Sequence, residues 1–596
     1  MLGSRSFHHA LFVFRAAPGF SAVLAVLAAL QAGAVALAMS LSGQVVQELP
    51  RAVGHPEAFR TVAVVLGALL AVLAAAPLLD GLSSWLDTVA AGRVLQVYLR
   101  EVLRLAVLPR GVAHLEAAET ADRLADLEAE THHWQFVVGL RGVWGLLRAR
   151  LAGVAVVVLL AAWHWWLVVP GIVAWTLLSA AENRRSAALF DVVDAGLGEQ
   201  LRRADYMAGL LTSREAAKEV RLFGLVPWLV DEYRGLWMPA MEALARRRER
   251  AGLVLLPALA LVAAMTVWGG WVIVGAGLDG DLEVGRCTTL LLALLGLSAF
   301  GPKGDAQSST NRVRLAIDRL RSLRSYVDSL ERDAPAGVAG SGPASVELEG
   351  ARFSYPGSSR RVLNDVSFHI APGQTVAIVG DNGVGKSTLV KLLCGLYPAE
   401  AGSVMVDGTS TWSSRPHVGL IAQDSTRFPL SLFDNIDAGS GWSADHESVD
   451  RTVADVDLET VVERSGLGVR LSANYEGGTD LSGGQWQRVA LARAMTAVTR
   501  GAGLLILDEP TSALDIQSEV ALFDRLTTPG QDVTTVLVSH RLAGVRRADR
   551  ILVLADDGDG AYVAEDGTHD QLMRARGPYW AMFTLQASRF TQGGNQ

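Results

Sequence analysis

Residues 251–278 form a run of 28 without one charged side chain. Such a run dictates its own surroundings. A helix rises 1.5 Å per residue, so about 20 apolar residues cross the ~30 Å hydrocarbon core of a bilayer, and a longer run crosses with tilt to spare. Backbone groups in lipid must bond within their own segment, which makes the run a helix. Two more runs join it: residues 20–41, 22 long with Gln31 as the only strongly polar member, and residues 61–79, 19 long and interrupted by Pro77. Shorter apolar stretches cover 151–163 and 165–181, with His164 between them, and 287–300, which leads into Gly301-Pro302-Lys303. The first of these reaches full length only by extending back through Gly142-Val143-Trp144, past Arg148 and Arg150. Together they predict six spans, an even number that returns the chain to its starting side.

The basic residues orient the spans. Arg5 and Arg15 precede the first run, and the basic segment 184–250 ends in Arg246-Arg247-Arg248-Glu249-Arg250. The connection Asp279-Gly280-Asp281-Leu282-Glu283 is acidic. Positive charge stays inside, which places both termini and the two long connections, 80–136 and 182–249, in the cytoplasm. These connections are too polar for lipid and read as helices that carry the spans into the cytosol. Trp163, Trp165 and Trp166 then fall in the outer aromatic belt. Residues 217–225 (AKEVRLFGL) present an apolar face with charged flanks, suited to docking on a partner surface. The Gly-, Ala- and Pro-rich stretch 331–343 reads as a linker between a membrane domain, 1–330, and a soluble α/β domain, 344–596. A net charge of −8 gives no footprint for nucleic acid, and two cysteines, Cys287 and Cys394, make no disulfide framework.

The soluble part holds the chemistry. Residues 375–379 (TVAIV) read as a buried strand, and 389–393 (LVKLL) as the start of a helix. Between them stands Gly380-Asp381-Asn382-Gly383-Val384-Gly385-Lys386-Ser387-Thr388, a G-x-x-x-x-G-K-S loop. Its backbone N–H groups can cradle phosphate oxygens ahead of a helix N-terminus. Lys386 would reach the β- and γ-phosphates and Ser387 would ligate Mg²⁺. Only four lysines (Lys218, Lys303, Lys386, Lys391) stand among 53 basic residues, and one of them occupies the place where a compact ammonium is required. Further on, Leu504-Leu505-Ile506-Leu507-Asp508-Glu509-Pro510 is an apolar strand ending in two carboxylates, able to support Mg²⁺ and polarise water, or equally a buried strand meeting a polar turn. Leu481-Ser482-Gly483-Gly484-Gln485 offers a second phosphate site at a helix start, or a plain glycine-rich cap.

In this order the motifs resemble the nucleotide-binding domain of ATP-binding cassette (ABC) transporters, and the chain resembles an exporter-type half-transporter of the type IV fold. The resemblance implies a multidomain membrane protein: an all-α six-helix transmembrane domain followed by an α/β P-loop NTPase domain. It further implies that Tyr355 stacks on adenine, Gln423 touches Mg²⁺ and the membrane domain, Asp515 of Ser512-Ala513-Leu514-Asp515 lies in the loop between nucleotide sites, and His540 is the switch histidine. It implies as well that Glu509 would position the attacking water, Asp508 would support the metal, and Lys386 would neutralise the γ-phosphate. Asp381-Asn382 and Val384 depart from many exporters at variable positions. The signature Ser482-Gly483-Gly484-Gln485 must come from a second cassette, so ATP and Mg²⁺ are sandwiched between two chains, a homodimer or, alternatively, a heterodimer. Cytosolic helices near Ala121-Asp122-Arg123 and Lys218–Leu225 would seat on the cassettes. The implied activity is ATP-driven export of an amphipathic or peptide-like cargo across a bacterial plasma membrane, with the nucleotide-binding domain cytoplasmic. Likeness around residues 389–397 and 481–488 leans towards lanthipeptide-type peptide exporters. Lipid or drug transport, siderophore import and a non-transporting ATP-gated channel or sensor are the alternatives.

Overall fold

The computed structural model describes residues 9, 11–52, 56–117, 127, 134–194, 197–214, 216–253, 255–330, 342–441, 446–509, 533–540 and 542–592. Most of the 331–343 stretch lies outside them. The chain divides into two compact units, 1–106 with 122–326, and 107–121 with 327–596. The second takes in a short piece of the stretch that the sequence assigns to the first domain.

The first unit is helical. In chain order the helices are α1 (Pro18–Ala52), α2 (Pro56–Val107), α3 (Ala113–Glu116, a part of the second unit), α4 (Trp134–Asp194), α5 (Leu197–Thr212), α6 (Ala217–Leu222), α7 (Val226–Leu253), α8 (Leu255–Leu278), α9 (Val284–Gly296) and α10 (Gly304–Asp328). Among the described residues, four helical segments are long and apolar enough to cross a membrane: Pro18–Ala52, Phe59–Val107, Phe136–Arg185 and Leu255–Leu278. A shorter apolar one covers Val284–Phe300. Helix α2 has 52 residues, about 78 Å at 1.5 Å per residue and far more than a bilayer core needs, so it continues beyond the apolar layer.

Helix α4 accounts for two of the six crossings. His164, at φ −143° and ψ 104°, breaks it. Gly139 and Asn183 stand on opposite limbs and would be about 66 Å apart on a straight helix. Yet both bond within one turn of α10: Thr310 Oγ1 donates to the Gly139 carbonyl (3.2 Å), and Gln307 Nε2 to Asn183 Oδ1 (2.8 Å). The segment therefore doubles back at His164. Trp163 and Trp166 meet the His164 ring edge-on, at 4.3 and 5.4 Å between centroids, and Trp165 is exposed. The first limb extends back past Arg148 and Arg150. Arg148 makes a bidentate pair with the buried Asp87 of α2 (2.6 and 3.0 Å), and Arg150 donates to the Ala299 carbonyl (2.9 Å). Gln31 donates to Asp80 Oδ1 (2.9 Å) and Ser83 Oγ (3.2 Å), joining α1 to α2. The last run is short because a 3₁₀ turn (Leu297–Phe300) and an extended Gly301 (ψ −179°) follow α9. Gly301 precedes Pro302, whose ring disfavours helical backbone at that position.

The second unit is an α/β layer structure. Its strands are β1 (Val346–Ser354), β2 (Arg361–Ile370), β3 (Thr375–Gly380), β4 (Ala401–Val406), β5 (Thr409–Ser410), β6 (Val418–Ile421), β7 (Leu504–Asp508), β8 (Thr534–Val538), β9 (Arg550–Asp556) and β10 (Ala561–Gly567). The described strands form one sheet in the order β5-β4-β1-β2-β10-β9-β3-β8-β7-β6. The run from β9 to β6 is parallel, while β1 pairs antiparallel with both β2 and β4. Parallel strands covered on both faces read as continuous apolar runs. In β3, Val376 and Ile378 enter one core while Ala377 and Val379 enter the other. Strands β7 and β8 divide in the same way. The helices are α11 (Lys386–Leu393), α12 (Leu432–Asp437), α13 (His446–Asp455), α14 (Glu459–Ser465), α15 (Gly483–Thr499), α16 (Leu542–Val545), α17 (His569–Ala575) and α18 (Pro578–Gln592).

The segment that follows α2 packs on this unit. Gly111, at φ +70°, brings its backbone against residue 396, and the next residue, Val112, donates its N–H to the Leu396 carbonyl (3.1 Å). Arg110 donates to the Ser413 carbonyl (2.8 Å) and lies 4.9 Å from the Trp412 ring centre. Val112 and Ala113 join the apolar core around Leu348 and Leu392. Ala121-Asp122-Arg123, where the sequence reading puts the seating contact, lies outside the described residues.

Candidate functional site

Sheet register assembles the site. Val538 of β8 lies opposite Ile378 of β3 on one side and Asp508 of β7 on the other. The phosphate loop after β3, Glu509 after β7 and His540 after β8 therefore leave one sheet edge side by side. Ile421 of β6 pairs with Leu507, which puts Gln423 on the same edge. Ligands of open α/β sheets bind at such carboxyl ends.

The loop's backbone follows from its glycines. Gly383 and Gly385 adopt φ +79° and +105°, which other residues rarely take. Gly385 is the residue before α11. Lys386 is buried, and its ammonium donates to the carbonyls of Gly380 (2.8 Å) and Asp381 (2.9 Å). Burial lowers its pKa, against the carboxylates of Glu509, Asp508 and Asp381. Val384 is buried in the sheet core, so its departure from the family pattern fills apolar space. Asp381 and Asn382 are exposed. Thr388 is buried and shares a 3.0 Å hydrogen bond with the Tyr355 hydroxyl.

Across the edge, Asp508 is buried and its pKa is raised, chiefly by that burial and further by Glu509, while a hydrogen bond from Ser387 and the charge of Lys386 oppose the shift. Its Oδ1 has no hydrogen-bond partner among the described residues. Glu509 holds φ +51°, an uncommon backbone for a non-glycine residue, and its N–H donates to the Val538 carbonyl (2.9 Å). Its Oε1 lies 3.0 Å from Nδ1 of His540.

A cleft of ≈ 440 Å³ runs along this edge, and Tyr355, Lys386, Ser387, Gln423, Glu509 and His540 all line it. So do Arg360 and Asp556, an ion pair (3.1 Å) that the sequence reading missed. No motif marks them; the available signal is that β9, which ends at Asp556, runs parallel beside β3. The Ser482-Gly483-Gly484-Gln485 signature does not line the cleft. It forms a capping box at α15: Ser482 Oγ accepts from the Gln485 N–H (3.3 Å), and Gln485 Oε1 accepts from the Ser482 N–H (2.9 Å). Asp515 and its loop lie outside the described residues.

Residues 363–512 match the family model described as ABC transporter. The chain is 30% identical over 443 residues to the ATP-dependent lipid A-core flippase of Xanthomonas oryzae pv. oryzae, covering 72% of each chain. To that of Xylella fastidiosa it is 28% identical over 535 residues, covering 85% of this chain and 86% of the other. In fold it is similar to a solved bacterial Atm1-family ABC exporter with ATP bound, with a TM-score of 0.75, 23% identity and coverage of 95% of this chain and 98% of the other. These curated relatives are flippases, and the lean towards peptide exporters finds no support in them. A helical membrane part, a phosphate-loop sheet and relatives of this extent together settle the lineage: the chain belongs to the ABC transporter family, an exporter-fold multi-pass protein of the bacterial inner membrane that couples ATP hydrolysis to transport.

Proposed function

We propose that two copies of this chain form an ATP-driven exporter that carries an amphipathic lipid across the bilayer. The observation that carries the paired arrangement is the division of the site. One chain brings Tyr355, Lys386, Ser387, Gln423, Glu509 and His540 to one cleft and keeps Ser482 and Gly483 exposed elsewhere. A triphosphate held by the loop would meet the signature of a second cassette, head to tail, and its γ-phosphate would bridge the two. A homodimer suffices, because this chain carries Glu509, His540 and the signature together.

Within the cleft, Tyr355 stacks on the base and Lys386 with the loop amides neutralises the phosphates. Glu509 orients and activates the attacking water. His540, bonded to Glu509, aligns that carboxylate with the γ-phosphate. The donor set suits Mg²⁺: Ser387, Gln423 and the unpartnered Oδ1 of Asp508 supply hard oxygens. No group of three or more His, Cys, Asp or Glu side chains among the described residues could hold a metal alone, which fits an ion completed by substrate phosphates. When bound, it would neutralise charge developing on the phosphate oxygens.

The lipid reading rests on the flippase relatives and on spans that carry little unpaired charge. Reconstitution tests it. Proteoliposomes with fluorescent phospholipid in one leaflet should move it to the other with ATP and not with a non-hydrolysable analogue. Accumulation of an amphipathic peptide without lipid movement would overturn the cargo assignment, and passive flux gated by ATP would overturn the pump.

A further inference from the structure

The segment packed after α2 ends at α3, and α3 ends at Glu116. That carboxylate accepts from Lys391 Nζ (2.8 Å) and from the Tyr397 hydroxyl. Lys391 stands on α11, directly behind the phosphate loop, and is one of only four lysines in the chain. Its ammonium lies 5.2 Å from the ring centre of Tyr355 and 5.6 Å from that of Tyr397. The Tyr355 ring is held edge-on by Phe353 (5.1 Å, 80°) and Tyr397 (5.6 Å, 86°), and its hydroxyl is tied to Thr388. Glu116, Lys391 and Tyr397 thus form a continuous path from the end of α3 to Tyr355, the aromatic that lines the cleft.

We propose that Lys391 is a positioning residue for nucleotide, fixed by Glu116, and that it holds the Tyr355 ring in its stacking orientation, so that the base is read by the segment that follows a transmembrane helix. This rests on Tyr355 being the base-stacking residue. The ionic states agree with it. Burial acts to raise the Glu116 carboxyl, but the bonds from Lys391 and Tyr397 outweigh it and leave the pKa below its ordinary value. Burial acts to lower Lys391, and Glu116 and Tyr355 together more than offset that. Both groups stay charged at neutral pH. A cation beside a tyrosine ring fixes its plane through the ring quadrupole. Linkage then runs both ways: whatever Glu116 contributes to base binding, bound base returns to the seating of residues 110–117.

The test uses the full chain in nanodiscs and compares MgATP with tripolyphosphate, which has no base. Glu116→Gln and Lys391→Met should each raise the KM for ATP roughly two- to fivefold, the scale of one cation–π contact, with kcat within twofold and the inhibition constant of tripolyphosphate unchanged. Lys391→Arg should recover most of the loss, and the double variant should be no worse than the poorer single one. In the wild type, ATP should slow trypsin cleavage after Arg110 and tripolyphosphate should not; in Glu116→Gln neither should. Tyr355→Ala separates the two claims. If it leaves the KM for ATP unchanged, the base-stacking reading fails. If it raises that KM while Glu116→Gln and Lys391→Met do not, or if they weaken ATP and tripolyphosphate alike, the positioning role is refuted. Melting temperatures within a few degrees of wild type exclude misfolding as the cause.

Discussion

Gly111→Ala gives a direct measure of how firmly the chain after α2 is held on the nucleotide-binding unit. The residue sits at φ +70°, and a Cβ there would lie 2.3 Å from the Leu396 carbonyl oxygen and 3.0 Å from the Trp412 ring. Left-handed backbone costs a non-glycine residue about 1–2 kcal/mol and forced overpacking about 1–3 kcal/mol, or about 2–5 kcal/mol together. The seat is held by three hydrogen bonds, Val112–Leu396, Arg110–Ser413 and Tyr397–Glu116, worth about 1 kcal/mol each, the Arg110–Trp412 contact at about 0.5–1 kcal/mol and the part-exposed Glu116–Lys391 pair at about 1 kcal/mol or less. The penalty is comparable with that seat, and a methyl against the Leu396 carbonyl crowds the acceptor of the Val112 N–H. The docked state should therefore fall from dominant to a minor population. Limited trypsin digestion of the full chain, read by mass spectrometry of the fragment ending at Arg110, should show cleavage at least tenfold faster. Gly357→Ala is the control, since Gly357 has φ +80° in open space and bears the backbone cost alone. A Gly111→Ala half-life within twofold of wild type, or equal exposure in the control, refutes the reasoning.

Glu509→Gln should retain ATP binding, accumulate as an ATP-closed dimer and lose turnover by roughly 10²-fold or more, measured by phosphate release and size-exclusion chromatography; wild-type hydrolysis would remove Glu509 from its role. Asp87→Asn leaves the Arg148 guanidinium without its anion and should cost about 3–5 kcal/mol, seen as an early thermal inactivation midpoint in detergent. Asp87→Leu with Arg148→Met should be much milder, because no charge is left unpaired. Burial pushes the Cys394 thiol up to about 12, so in a Cys287→Ser background maleimide should label Cys394 only after denaturation, at pH 7 and at pH 9 alike.

The membrane helices and the cleft were legible in the sequence for different reasons. A run such as 251–278 announces itself because lipid tolerates little else, and the phosphate loop because its glycines and Lys386 are tied to a backbone shape. His164 could be placed between two apolar stretches, but the reversal there depends on both limbs bonding to α10, at 124 and 171 residues' separation. Arg360 and Asp556 were missed because a pair 196 residues apart leaves no local pattern. The seat at 110–117 escaped for the same reason. Glu116 meets Lys391 across 275 residues, and the adjoining charged stretch drew attention to 121–123 instead. The capping role of Gln485 was readable from the serine three residues before it; the glycines between them drew the reading towards phosphate.

That cap bears on how the transporter assembles. Ser482 and Gln485 cap each other's backbone N–H groups, so the start of α15 is fixed before any nucleotide arrives. A helix end finished in this way presents its exposed amides in a fixed array, with the ordering entropy already met during folding. In the proposed paired site an incoming phosphate would find a preorganised surface, leaving more of the contact energy to draw two cassettes together.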